Sequence, residues 1–147
     1  MANRKLRTIR VGAVLYLWWV NHKHSVPRHG LVTSEGEGGC REVFTAFAEG
    51  FPGQPARILF PESNKHGPGF PRQRGVVVDY KLPNLYINLN RPRIARLLIE
   101  LAIAGGWIPG QSRREFVIPD GYRLLRRHCP QLLEALQEKA PTRRRHG

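Results

Sequence analysis

Apolar and polar positions alternate in short runs as far as Asn90 and then take up helical spacing, a pattern that predicts strands followed by helices. From Leu6 to Val20 the runs LRTIR and VLYLWWV flank a turn near Gly12 and predict a β-hairpin rich in aromatic and β-branched residues. In its second strand Leu15, Leu17 and Trp19 share one face and Tyr16 and Trp18 the other. Two apolar faces imply a central strand, or one face left for a partner. Asn21 to Gly39 has no sustained period and reads as a loop with at most one short strand. EVFTAFA, from Glu42 to Ala48, and ARILF, from Ala56 to Phe60, flank EGFPGQP, a wide turn between antiparallel strands. A short helix is the alternative for EVFTAFAEG. The Gly- and Pro-rich segment from Glu62 to Gly75 predicts an exposed loop that carries Lys65, His66, Arg72 and Arg74. VVVDY and LYINL, joined by KLPN, form the cleanest hairpin, with Leu85, Ile87 and Leu89 directed to the core and Tyr86 and Asn88 opposed to them.

The central helix is predicted from Arg91 to Ala104. Asn90 is the expected N-cap, and Pro92 falls in the first turn, where its missing N–H costs nothing. Ile94, Leu97, Leu98 and Leu101 form a core stripe that Ile99 and Ile103 widen, leaving Arg93, Arg96 and Glu100 on the wet face. Gly105 and Gly106 supply the stop, Pro109 blocks continuation, and Trp107 is expected to fold back on the sheet. REFVIP, from Arg114, predicts a last short edge strand. Asp120 caps a helical turn through Arg127, and PQLLEALQEK predicts a final helix with Leu132, Leu133 and Leu136 on its apolar strip. The expected fold is α+β: a mainly antiparallel sheet of five to seven strands, one amphipathic helix packed on it, and C-terminal helices beside it.

The region from Asn84 to about Arg127 resembles uncharacterised small bacterial proteins with a strand, a helix of the Ala-Arg-Leu-Leu-Ile type and a Gly-Trp-x-Pro ending. The residues that carry the resemblance are Leu89, Pro92, Ile94, Ala95, Arg96, Leu97, Leu98, Ala102, Gly106, Trp107 and Pro109. It covers under half the chain, and what it implies is a packing unit without an assigned activity.

Composition narrows the partner class. At 147 residues the chain has room for a single domain, expected over 1–140, with 141–147 as a disordered basic tail. Twenty-four Lys and Arg against eleven Asp and Glu give a formal charge of +13, which favours anionic partners. Cys40 and Cys129 lie far apart without metal-ligand spacing, so a reducing, cytoplasmic setting is expected. Arg4, Lys5, Arg7 and Arg10 before VGAVLYLWWV mimic a signal peptide, but no small-residue cleavage site follows. The apolar run is also far short of the roughly 20 residues that span a bilayer.

His22 and His24 would share one side of an extended backbone, where two imidazoles could hold a metal, with His29 nearby. No carboxylate or cysteine completes a convincing set, and exposed polar residues at a strand end are the expected reading, so no metal and no cofactor are expected. Hydrolase, nucleotide-binding and metalloprotease motifs are absent from the sequence, which argues for a non-enzymatic protein.

The candidate anion site lies at the start of the central helix. Arg91 and Arg93 stand in its first turn, where the partial positive charge of the helix end disfavours cations. Asn88, Asn90 and free backbone N–H groups would complete a cradle for phosphate or carboxylate, with Arg96 one turn on. The alternative is pairing of these arginines with Asp79 or Glu100. A second basic cluster comprises Arg123, Arg126, Arg127 and His128, joined by Arg143, Arg144 and Arg145 in the tail. The expected function is binding of polyanions, RNA or DNA, through backbone contacts. The alternative is a protein-interaction module, an accessory or immunity-type subunit that docks an acidic protein.

Overall fold

The computed structural model describes residues 6–24, 40–61, 66–68, 75–79, 85–111 and 114–137. The expectations for His29, Lys65, Arg72, Arg74, the KLPN connection and the tail with Arg143, Arg144 and Arg145 lie outside these residues. Among those described there are eight strands and three helices, an α+β fold with mostly antiparallel pairing.

The first hairpin consists of β1 (Arg7–Val11) and β2 (Val14–His24), and β3 (Cys40–Ala48) and β4 (Ala56–Pro61) extend it as an antiparallel meander. β2 is longer than its apolar pattern predicts. Its polar end, NHKH, stays in the sheet because β3 continues to pair with it as far as His24 opposite Cys40. Backbone hydrogen bonding thus overrides weak local propensity.

β5 (His66–Pro68), β6 (Val76–Asp79) and β7 (Leu85–Asn88) follow and form a separate three-stranded antiparallel sheet. Two expectations change here. The segment expected to be all loop contains β5, and the expected single sheet is two. The reason is one of available edges. β6 bonds β5 on one side and β7 on the other, so neither edge is left for the larger sheet. β8 (Phe116–Ile118) instead pairs parallel to β4 and completes the order β1-β2-β3-β4-β8, at the edge where its sequence placed it.

Helix α1 (Pro92–Ala104) lies between the second hairpin and β8 in the chain, and α2 (Gly121–Arg127) and α3 (Cys129–Gln137) close the described structure. One buried cluster unites the layers. Tyr16, Trp18, Phe44 and Ile58 of the large sheet join Val77, Ile87 and Leu89 of the second hairpin and the apolar face of α1. Trp18 and Phe44 have ring centroids 5.7 Å apart across the β2–β3 pair. Ile94, Leu98 and Ile99 of α1 are fully buried, each such side chain stabilising the fold by about 1.5–3 kcal/mol. Arg93, Arg96 and Glu100 face water as the period requires. Ile103 does not follow the stripe. It is 38% exposed, because Gly105 and Gly106 beyond it carry no side chains to cover the last turn.

Gly106 turns the chain with φ of 123°, and Trp107 folds inward at 1% exposure. Its indole Nε1 donates to the Gln54 carbonyl at 3.1 Å, while the Gln54 side-chain oxygen accepts from the Gly110 N–H at 2.8 Å. The helix stop is thereby tied to the β3–β4 turn. Asp120 caps α2 as its sequence predicts, accepting from the Arg123 N–H at 3.2 Å. Leu132 of α3 is fully buried, with Leu136 packed beside it.

α2 approaches β4 so closely that only glycine fits at position 121. A Cβ there would run into the Phe60 ring and lie 2.9 Å from Ile58 Cγ2. Gly121→Ala should therefore destabilise the protein by about 1–3 kcal/mol through overpacking, read as a lower urea midpoint. Burial pushes the Tyr16 hydroxyl above its ordinary value of 10.0 by desolvating the phenolate. The folded state thus favours the neutral ring, a stabilisation fully present below pH 10.0 and lost as pH rises through the folded value. Urea midpoints measured either side of pH 10.0 should fall with alkalinity, and Tyr16→Phe should lessen that fall.

Candidate functional site

The chain enters α1 through a tight polar turn after β7. Asn88 holds it, its side-chain Oδ1 accepting from the Asn90 N–H at 2.9 Å and its carbonyl from the Arg91 N–H at 3.1 Å. The Asn90 amide lies against Gly75, where it fills the space a Cβ would need, and Leu89 N–H donates to the Gly75 carbonyl at 2.7 Å. Asn90 is therefore not the N-cap. That position belongs to Arg91, which forms no side-chain cap hydrogen bond, with Pro92 as the first helical residue.

This geometry alters the expected cradle. Pro92 has no N–H, and the Ile94 and Ala95 N–H groups both donate back to the Arg91 carbonyl, at 3.0 and 2.9 Å. The backbone donors are largely engaged, and Asn88 directs its oxygen into the turn. Guanidinium groups dominate instead. Arg7 from β1 reaches the helix start, donating from Nη1 to the Asn90 carbonyl at 2.7 Å while its guanidinium carbon sits 5.2 Å above the Trp18 ring. Arg91 and Arg93 are exposed alongside, and the first turn contains no acidic residue. Glu100 pairs one turn up with Arg96 at 3.1 Å, as an ordinary i, i+4 surface contact.

The second cluster is electrostatically different. Arg126 and Arg127 occupy the last turn of α2, where the negative helix end favours cations, so helix stability alone accounts for them. Arg123 and Arg127 line a surface groove with Ile118, Pro119, Asp120 and Leu124. The structure thus brings Asn88, Asn90, Arg91 and Arg93 together at one helix start, puts Arg96 into an ion pair, and places Arg123, Arg126 and Arg127 on another helix.

Sequence reasoning missed Arg7 and Glu42. Arg7 lies 83 residues before Asn90, a separation no local signal bridges. Glu42 meets His22 across the β2–β3 ladder, with Oε2 2.6 Å from the ring Nδ1, the carboxylate 1% and the imidazole 14% exposed. Alternation in EVFTAFA could have marked Glu42 as an inward position, but only the register identifies its partner. Among the described residues no three His, Cys, Asp or Glu side chains converge as a metal-holding group, and no helix is long and apolar enough to cross a membrane.

Compared with known proteins, the chain matches no family model, no curated protein and no solved structure.

Replacing both first-turn arginines of α1, Arg91→Ala with Arg93→Ala, should leave stability unchanged or raise it by about 0.3–1 kcal/mol per site, because cations at a positive helix end are removed. Chemical denaturation measures this, and a marked loss of stability would show the pair to be structural.

Proposed function

We propose that the protein is a non-enzymatic binder of polyanions that engages nucleic-acid backbone through the basic surface at the start of α1. The observation that carries this reading is the gathering of Arg7, Arg91 and Arg93 around a helix end that lacks any first-turn acid. Placing guanidiniums at the positive end of a dipole works against helix stability, and a bound phosphate reverses the sign of that interaction. Planar guanidiniums suit phosphate oxygens, which they can grip with two parallel hydrogen bonds. The net charge of +13 adds long-range attraction for a polyanion and gives no preference for a particular base sequence. In this reading Arg123 and Arg127 on their groove are a second basic contact, and Arg143, Arg144 and Arg145 add positive charge.

Fluorescence anisotropy with labelled RNA and DNA oligonucleotides at several salt concentrations tests the reading. Affinity should fall steeply as salt rises, and Arg91→Ala with Arg93→Ala should reduce the slope of log affinity against log salt by about one for each phosphate no longer neutralised. Protein freed of co-purified nucleic acid that fails to bind either oligonucleotide at low salt would overturn it, and affinity capture with acidic proteins would then test the interaction-module alternative.

A further inference from the structure

β8 is the outermost strand of the larger sheet and, among the described residues, pairs with β4 alone. The Phe116 N–H donates to the Pro55 carbonyl at 2.8 Å, so the backbone groups of Phe116 face β4. Those of successive strand residues point to opposite edges, which directs the N–H and C=O of Val117 away from β4 to the outer edge. The Val117 side chain, opposite Arg57 in the register, is 44% exposed. An open edge of this kind is a template for a further strand. Pro119 has no N–H and ends it, which limits the occupant to a short segment.

A groove of about 350 Å³ lies beside this edge, between the end of β8 and α2. Ile118, Pro119 and Leu124 supply its apolar lining, and Arg123 and Arg127 its charge. Both arginines are exposed, and among the described residues neither is in an ion pair. Four apart on one helix, they are neighbours of like charge, a mildly unfavourable arrangement. The carboxylates that flank β8 are engaged elsewhere. Asp120, which also lines the groove, accepts from the Arg123 backbone N–H at 3.2 Å, and Glu115 accepts from Arg57 at 2.5 Å. The groove therefore keeps an excess of positive charge over an apolar surface, next to unpaired backbone groups.

We infer that the β8 edge and this groove form a docking site for an extended acidic segment of a protein partner, added as a strand beside β8. Carboxylates at alternate positions of that segment meet Arg123 and Arg127, and the residues between them lie on the Val117 side. The spacing suits this pairing, since alternate strand residues are about 6.5 Å apart and side chains four apart on a helix roughly 5–6 Å. A second copy joined through β8 would bring four guanidiniums together. A nucleic-acid backbone carries no N–H to give to the Val117 carbonyl. The site is separate from the arginine surface at the start of α1, and failure of either reading leaves the other standing. A peptide and a nucleic acid would compete for Arg123 and Arg127 only.

Fluorescence anisotropy with the full chain and a labelled, end-capped peptide of alternating glutamate and valine tests the site. Binding should saturate at one peptide per chain, and Arg123→Ala with Arg127→Ala should weaken it about tenfold or more. Val117→Pro, which removes an N–H that faces away from β4, should also weaken it. A peptide of the same composition with its glutamates in one block should bind far less well. Absence of saturable binding at low salt, equal binding of the block peptide, or affinity unchanged in the double arginine variant would each overturn the inference. An oligodeoxythymidylate that requires Arg123 and Arg127 while the peptide does not bind would assign the groove to nucleic acid instead. Circular dichroism of the variants separates a lost contact from a lost fold. Should Val117→Pro fail to fold, the two exposed arginines decide the matter.

Discussion

Alignment of β2 against β3 governs both the core and the polar chemistry of the molecule. Their register runs from Tyr16 opposite Ala48 to His24 opposite Cys40, along almost the whole of both strands. Strand side chains alternate, so a slip of one residue would move Tyr16, Trp18 and Phe44 from the core to the other face. The same register brings Glu42 to His22, which the core could not otherwise accept as a buried carboxylate. Hydrophobic burial and the His22–Glu42 contact therefore specify a single alignment together, and a competing alignment would lose both.

α1 is the second organising element, and its two ends behave differently. Its C-terminal end is held by specific contacts: Trp107 on the Gln54 carbonyl, Gly110 on the Gln54 side chain, and the Tyr16 and Trp107 rings with centroids 5.7 Å apart. Its N-terminal end is a polar turn in which Asn88 and Gly75 occupy the groups that would otherwise cap the helix or cradle an ion. What remains there is a set of guanidiniums on the wrong end of a dipole. Arg126 and Arg127 of α2 lie at the favourable end of theirs, so equal charge carries unequal meaning in the two places.

Much of the fold could be read along the chain because its signals are local. The leucine stripe of α1, the Gly105–Gly106 stop, the Asp120 cap and the alternation of Tyr86 to Leu89 all act within a turn or a few residues. The elements that escaped prediction depend on remote partners. NHKH is strand because β3 pairs with it, and HGP is strand because β6 does. Asn90 had the composition of an N-cap, yet the approach of Gly75 and the bond from Asn88 moved the helix start onward. Within the candidate site, Arg91 and Arg93 were legible as a conflict between charge and helix polarity. Arg7 was not, since nothing near it in sequence indicates α1.

The α+β class, the faces of the second hairpin and α1, and the excess of positive charge are all written in the order of residues alone. They follow from periodicity and composition, which require no knowledge of what lies across the sheet. Other features exist only once the chain has folded: the division of the strands into two sheets, the reach of Arg7 to the helix start, and the meeting of Glu42 with His22 beside Cys40 opposite His24. Cross-strand partners are set by register, and register is a property of the whole sheet and its loops.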